Sequence, residues 1–463
     1  MKVFYRNSTV LVTGPNGFLG TVLLEKLLRC FDVKKIFMLI RSKAGQSVRQ
    51  RHQSFISLQI FDLIRKEDPR LFEKLVAVEV DYTSHDLGID CEVLSQIEEE
   101  VDVVFNIVAS VKFNEALNDA IQINILGTKK IVNLTLGIKK LKSFVHVSTL
   151  YSNCNRTDID EKIYPNSLTY QDLIQIGHLF KDKENIIDSE SLIFQKLPNT
   201  YTLTKHFAEK LVNHQAFYAP TGIFRPPIVI SNYKDIPGYT DNLNGPSGIV
   251  AWTVRGYIHC IYGNSEIRSN LVPVDYCINA LITTAWDVHR NFDERTTKGL
   301  EVPIYNYISK ANNLTWGKYM SLVPLGFHEP LQKSVWFYSY FIVSSNPVFK
   351  LLNFIYHTIP GCLMDFAAFL VGKKMIYSKA YKKIEKVLLM MSYFGTREWN
   401  FSNNNVERLI EETKAFDFER GDLNFNIRTI NWNEYFRNYI PGIKRYYFKE
   451  NCDDLRGLKS TYE

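Results

Sequence analysis

Thr13-Gly14-Pro15-Asn16-Gly17-Phe18-Leu19-Gly20 follows an apolar run, Ser8–Thr13 (STVLVT), and opens a segment with helical apolar spacing, Thr21–Phe31. Three glycines at three-residue intervals between a strand and a helix leave few folds open. Gly14 permits a tight turn, Gly17 lets backbone approach a pyrophosphate, and Gly20 allows the helix to pack closely on the strand. The helix start then turns free N–H groups and a positive dipole end toward an anion. Thr13, Gly14, Asn16, Gly17, Phe18, Leu19 and Gly20 are therefore the candidate phosphate cradle. Pro15 contributes no N–H to it.

Further β-rich runs, Lys35–Arg41, Leu75–Val80, Val101–Val108 and Ser143–Thr149, alternate with amphipathic segments, one of them carrying Ala120–Asn133. Near-continuous apolar strands separated by helices indicate a parallel sheet covered on both faces. With right-handed crossovers the fold class is α/β, a doubly wound Rossmann-type sheet with a substrate lobe. A helix from Asn199 leads into a strand at Gly222–Ile230. Asn232–Ser247 reads as a loop over the site's mouth, and Val302–Ile308 as a last strand. Arg41 ends the second strand with Lys43 close behind, where an NAD site would carry an acidic residue. A cation there suits a ribose 2′-phosphate, so NADP(H) is the expected cofactor.

Tyr201 and Lys205, four residues apart on one helix, share a face. A cation beside a phenol is expected to favour the phenolate and lower the tyrosine pKa. The hydroxyl pair Ser148-Thr149 closes an earlier strand, and strand C-terminal ends face the ligand crevice in such sheets. Tyr201, Lys205, Ser148 and Thr149 form the candidate catalytic group. His146 reads as a packed core histidine. Trp252, Trp286 and Trp316 read as core or as pocket walls.

These features resemble the extended short-chain dehydrogenase/reductases. Asp81-Tyr82, Asn106-Ile-Val-Ala109-Ser110 and Asn124-Ile-Leu-Gly127-Thr128 are similar to that superfamily's adenine, nicotinamide-side and structural-asparagine positions, which adds Asp81, Asn106 and Ala109 to the cofactor candidates. Val111-Lys112-Phe113, Phe144–Ser152, Pro198–Lys205, Asp241–Pro246, Val371–Lys374 and Tyr393–Trp399 narrow the resemblance to eukaryotic, insect-like fatty acyl-CoA reductases, over residues 5 to 450. The resemblance implies NADPH-dependent reduction of a long-chain acyl-CoA to a primary alcohol, in two hydride steps through an aldehyde, with CoA released. Tyr201 would protonate or hydrogen-bond the developing oxyanion, Lys205 would tune Tyr201 and hold the nicotinamide ribose, and Ser148 or Thr149 would hold the same oxygen, with Ser148 the favoured of the two. A nucleotide-sugar or steroid-type reductase would share the first 230 residues without the aromatic, lysine-rich region that follows. A non-catalytic lipid-binding relative would be expected to lose Tyr201 or Lys205.

Composition marks the domain organisation. Residues 1–330 read as the reductase domain, 331–372 as an apolar aromatic segment, and 352–463 as a helical C-terminal domain of the same family type. Val335–Val343 and Leu351–Gly372 are apolar, yet neither reaches the roughly 18 uninterrupted apolar residues of a spanning helix. Either they form a buried core, or they lie on a membrane with Lys373, Lys374 and Lys379–Lys386 at the headgroups. Animal members of the family commonly carry a hydrophobic C-terminal segment, and this sequence ends at Tyr462-Glu463 without one. Attachment is therefore expected to be peripheral, through residues 335–372, at the cytosolic face of the endoplasmic reticulum or a lipid droplet. A net charge of +6 over 463 residues is well short of a nucleic-acid footprint. Seven scattered cysteines with no His/Cys cluster suggest free thiols in a reducing compartment and no metal.

Overall fold

The computed structural model describes residues 1–42, 45–84, 86–179, 193–215, 219–312, 314–327, 334–414 and 423–450. Lys43 and Cys452 lie outside them. The chain forms two compact units, each assembled from separate stretches of sequence. The first comprises 1–227, 274–309 and 399–426; the second comprises 228–273, 310–398 and 427–463. They do not follow a single cut near residue 330.

The first unit is built on a seven-stranded parallel sheet: β1 (Thr9–Thr13), β2 (Lys35–Arg41), β3 (Leu75–Val80), β4 (Val103–Asn106), β5 (Ser143–Val147), β6 (Thr221–Arg225) and β7 (Ile304–Asn306). The spatial order is β7-β6-β5-β4-β1-β2-β3. Order reverses at β1, so right-handed crossovers place helices on both faces and open a crevice at the strands' C-terminal ends. Helix α1 (Phe18–Cys30) packs with Val274–Arg290, and α2 (Thr200–Gln215) packs with Gly127–Leu136. Every residue of β1, β4, β5 and β6 is buried, which explains their mainly apolar sequence, and the polar residues they carry are buried with them.

Three differences from the sequence reading have local causes. The run Val101–Val108 stops as a strand at Asn106, because the N–H groups of Ile107 and Val108 donate to Thr13 Oγ1 at 2.9 and 3.0 Å. Gly222–Ile230 is two strands rather than one. Pro226-Pro227 supply no ladder donors, and Ile228–Ile230 pairs with Leu271–Pro273 in the second unit. The helix over Ala120–Asn133 begins at Leu117 and widens into a π-type turn at Gln122–Leu126.

The second unit is mainly helical. Its strand pairs are Ile228–Ile230 with Leu271–Pro273 and Cys260–Tyr262 with Phe341–Val343. Ile258, Cys260, Phe349 and Leu388 form a small core between the strand Cys260–Tyr262 and the helices Asn346–Asn353 and Tyr377–Gly395. No helix among the described residues is long and apolar enough to cross a membrane.

Candidate active site

The glycine turn is fixed by its own packing. Gly14 has φ +65°, and a Cβ there would lie 3.0 Å from Val108 Cα. A Cβ on Gly20 would lie 2.3 Å from the Gly14 carbonyl oxygen, so α1 approaches the turn only without a side chain. Gly17 differs. Its nearest neighbour to an added Cβ is the Gly14 oxygen at 3.4 Å, and the residue is exposed. Internal packing does not demand a glycine there, whereas close approach of a pyrophosphate does. No side chain caps α1 at Gly17, which leaves its first N–H groups for an anion. These residues fit a dinucleotide. Pro15 and Gly20 are buried, Asn16 is exposed, and Phe18 and Leu19 are half-buried.

Beneath the turn, strand register sets Thr13 level with Asn106 and Asn106 level with His146. Thr13 Oγ1 donates to Asn106 Oδ1 at 2.8 Å, and Asn106 Nδ2 donates to His146 Nδ1 at 3.0 Å. All three side chains are fully buried. Asn106 is thus committed to holding the strand ends together. Burial, with Lys205 nearby, holds the His146 pKa well below the usual imidazole range. The ring is neutral, as befits a core histidine.

Asn124 sits in the π-type turn and clamps the loop after β4. It accepts from the Ser110 N–H at 2.8 Å, and its Nδ2 reaches the Ser110 carbonyl at 3.2 Å and Thr204 Oγ1 at 2.9 Å. Ala109 lies between Val108, packed on Gly14, and this clamp. Further along the same loop, Phe113 stacks on Tyr201 with ring centroids 5.8 Å apart.

Helix α2 aligns Tyr201, Lys205 and Glu209 at four-residue intervals. Lys205 Nζ donates to the Val147 carbonyl at 2.7 Å. Burial pulls its pKa down to about 8, against the opposing attraction of Glu209. For Tyr201 the expectation of a lowered pKa is not met. Burial pushes it up to about 12, although the hydrogen-bonded Thr149 hydroxyl favours the phenolate.

Ser148 and Thr149 are adjacent yet face different partners. Ser148 Oγ donates to Glu209 Oε1 at 2.5 Å, alongside Ser152 Oγ at 2.9 Å. Arg225 grips the same carboxylate with Nε and Nη2, both at 2.8 Å, and its side chain is completely buried. Burial alone would raise the Glu209 pKa, but Arg225 and the serine hydroxyls more than offset it and lower the value. Thr149, by contrast, accepts from the Tyr151 N–H at 3.3 Å and carries its hydroxyl toward Tyr201.

At the other end of the crevice, Arg41 is exposed at the end of β2. Arg51 donates through Nη1 to the Arg41 carbonyl oxygen, and burial together with repulsion from Arg41 lowers its pKa. Two guanidinium groups therefore converge after β2, a site rich in charge-assisted donors for a phosphate. Asp81, after β3, is exposed and accepts from the Thr83 N–H, Thr83 Oγ1 and Ser84 Oγ at 2.7–2.9 Å. Lys130 Nζ donates to the neighbouring Tyr82 carbonyl at 2.5 Å.

Sequence reasoning missed Arg51, Glu209 and Arg225. Glu209 had a signal, since it extends the Tyr201–Lys205 face by one more turn. Arg51 and Arg225 become legible only when the sheet brings them to their partners. In the second unit, Trp316 lines an apolar cavity with Ile249, Ile261, Met320, Ile342 and Met391.

Comparison with known proteins agrees with this geometry. A family model described as male sterility protein, of the NAD-binding type, matches residues 12–281, and a second, also described as male sterility protein, matches 356–450. Fatty acyl-CoA reductase wat of Drosophila melanogaster is 34% identical over 466 residues, covering 100% of this chain and 88% of the relative. Fatty acyl-CoA reductase 1 of Xenopus laevis is 32% identical, covering 98% of this chain and 87% of the relative. Among solved structures, the terminal R domain of the myxalamid biosynthetic pathway aligns with TM-score 0.62 at 17% identity, over 95% of this chain and 91% of that one. UDP-glucuronic acid 4-epimerase from Bacillus cereus aligns with TM-score 0.52 at 12% identity, over 96% and 99%. These solved structures share the fold, and the chain is an oxidoreductase that belongs to the fatty acyl-CoA reductase family.

Proposed function

We propose that this enzyme reduces long-chain fatty acyl-CoA to the primary alcohol with NADPH, passing through an aldehyde and releasing CoA. The observation that carries the reading is the Tyr201–Thr149 hydroxyl pair, one helix turn from Lys205, at the C-terminal end of a dinucleotide-type sheet. Membership of the fatty acyl-CoA reductase family supports the substrate class. Arg41 and Arg51 support a 2′-phosphate on the cofactor, and Gly14–Gly20 its pyrophosphate. When bound, NADPH supplies hydride for each reduction.

The chain's own residues hold the acceptor oxygen and move its proton. Tyr201 and Thr149 both direct hydroxyls at the thioester carbonyl oxygen. Charge that develops there is stabilised by donors already in place before reaction. Tyr201, kept protonated by burial, gives its proton to that oxygen, leaving a hemithioacetal. Collapse breaks the carbon–sulfur bond as the Tyr201 phenolate takes back the hydroxyl proton; CoA departs as the thiolate and is protonated by solvent, and the aldehyde meets both hydroxyls again for the second reduction. Lys205, fixed by the Val147 carbonyl, keeps a positive charge near the phenol and offers the ribose a donor. Ser148 is a positioning residue that ties the end of β5 to α2 through Glu209.

The exposed apolar side chains between Trp336 and Val371 support peripheral attachment to the cytosolic face of the endoplasmic reticulum or a lipid droplet. The test of the catalytic reading is Tyr201→Phe. It should abolish reduction while NADPH affinity, measured by fluorescence titration, stays nearly unchanged. Normal turnover by that variant would sink the assignment.

A further inference from the structure

The helical stretch from Asn346 to Leu370 is inside out. Val348, Leu351, Ile355, Ile359, Leu363, Phe366 and Leu370 recur at three- and four-residue intervals, and each is 41–68% exposed. That spacing is one continuous face. The opposite face buries polar groups: Asn353, His357 and Asp365 are 4%, 1% and 9% exposed.

Each buried polar group is partnered inside the second unit. His357 Nδ1 donates to Asn353 Oδ1 at 2.8 Å, and His357 Nε2 accepts from the His259 N–H at 2.9 Å. Asp365 accepts from the N–H groups of Tyr377 and Ser378 at 2.8 and 2.9 Å, capping the next helix. A water-facing helix would carry these residues outward and the leucines inward. A contiguous apolar face of this size on a single chain marks an interaction surface.

Charge indicates what covers it. The turn and the following helix, Tyr377–Gly395, carry Lys373, Lys374, Lys379, Lys382, Lys383 and Lys386, all exposed and none in an ion pair among the described residues. Only Glu385 opposes them between 373 and 386. A second copy of this segment would bring the same excess of lysines and no acidic row to pair with them. An apolar face beside a row of free ammonium groups fits lipid tails beside anionic headgroups.

We propose that residues 346–386 form an interfacial hairpin that docks on anionic phospholipid bilayers, with the 348–370 face among the acyl chains and the lysines at the phosphates. The proposal rests on the peripheral attachment named above and specifies its partner.

The test is flotation of the purified full chain with phosphatidylcholine vesicles and with vesicles of phosphatidylcholine and phosphatidylserine. The chain should float with the anionic vesicles, and added salt should weaken binding. Changing Lys379, Lys382, Lys383 and Lys386 to Gln should reduce partition more than tenfold, since each surface lysine is worth about fivefold. Leu363→Glu with Phe366→Glu should abolish flotation. Failure of the wild type to float, equal binding by the variants, or a lipid-free dimer dispersed by Leu363→Glu would overturn the proposal. NADPH binding by each variant, measured alongside, reports folding. Flotation without acyl-CoA reduction would count against the catalytic reading and leave the surface standing, whereas reduction without flotation would do the reverse.

Discussion

Ser148 donates its hydroxyl to Glu209 Oε1 across 2.5 Å, in the heart of a carboxylate that Arg225 also grips. Its neighbour Thr149 is left as the hydroxyl that meets Tyr201. Thr149→Ala should therefore lower kcat by about 10²–10³, the usual loss on removing one oxyanion donor. Ser148→Ala should instead destabilise the fold by about 1.5–3 kcal/mol, since its bond is to a buried charge. Steady-state kinetics and thermal unfolding on both variants check the division. The reverse pattern would return the catalytic hydroxyl to Ser148.

Lys205 gives the pH dependence. Burial depresses its pKa to about 8, so the ammonium is present below that pH and lost above it. Since the cation supports Tyr201, kcat/KM should fall through an alkaline limb near pH 8. A profile flat to pH 10 would remove Lys205 from the free enzyme's essential groups.

Arg41 and Arg51 converge after β2, where a ribose 2′-phosphate would sit. Arg41→Asp should move preference from NADPH toward NADH, seen as a change in the ratio of kcat/KM for the two cofactors. An unchanged ratio would refute the assignment.

Much of this was legible in the sequence because it is written in short-range patterns. Gly14, Gly17 and Gly20 encode the turn, Lys35–Arg41 and Leu75–Val80 match their strands, and Tyr201 with Lys205 share a helix face. What could not be read depends on pairs far apart in sequence. Ser148 and Thr149 are chemically alike, and only Glu209, 61 residues on from Ser148, separates their roles. The Tyr201 pKa escapes the sequence because the lysine four residues away is visible there, whereas the burial that raises the value and the Thr149 hydroxyl that opposes it are not. The 335–372 segment was ambiguous for a related reason. Hydropathy records which residues are apolar, and only the buried Asn353, His357 and Asp365 reveal which face turns outward.

The most direct test of the central claim is product analysis with purified protein, NADPH and saturated acyl-CoAs of graded chain length, by gas chromatography–mass spectrometry. The account predicts fatty alcohol, with two NADPH consumed for each CoA released and the highest turnover on long chains. NADPH binding with neither aldehyde nor alcohol formed from any acyl-CoA, with or without vesicles, would contradict it.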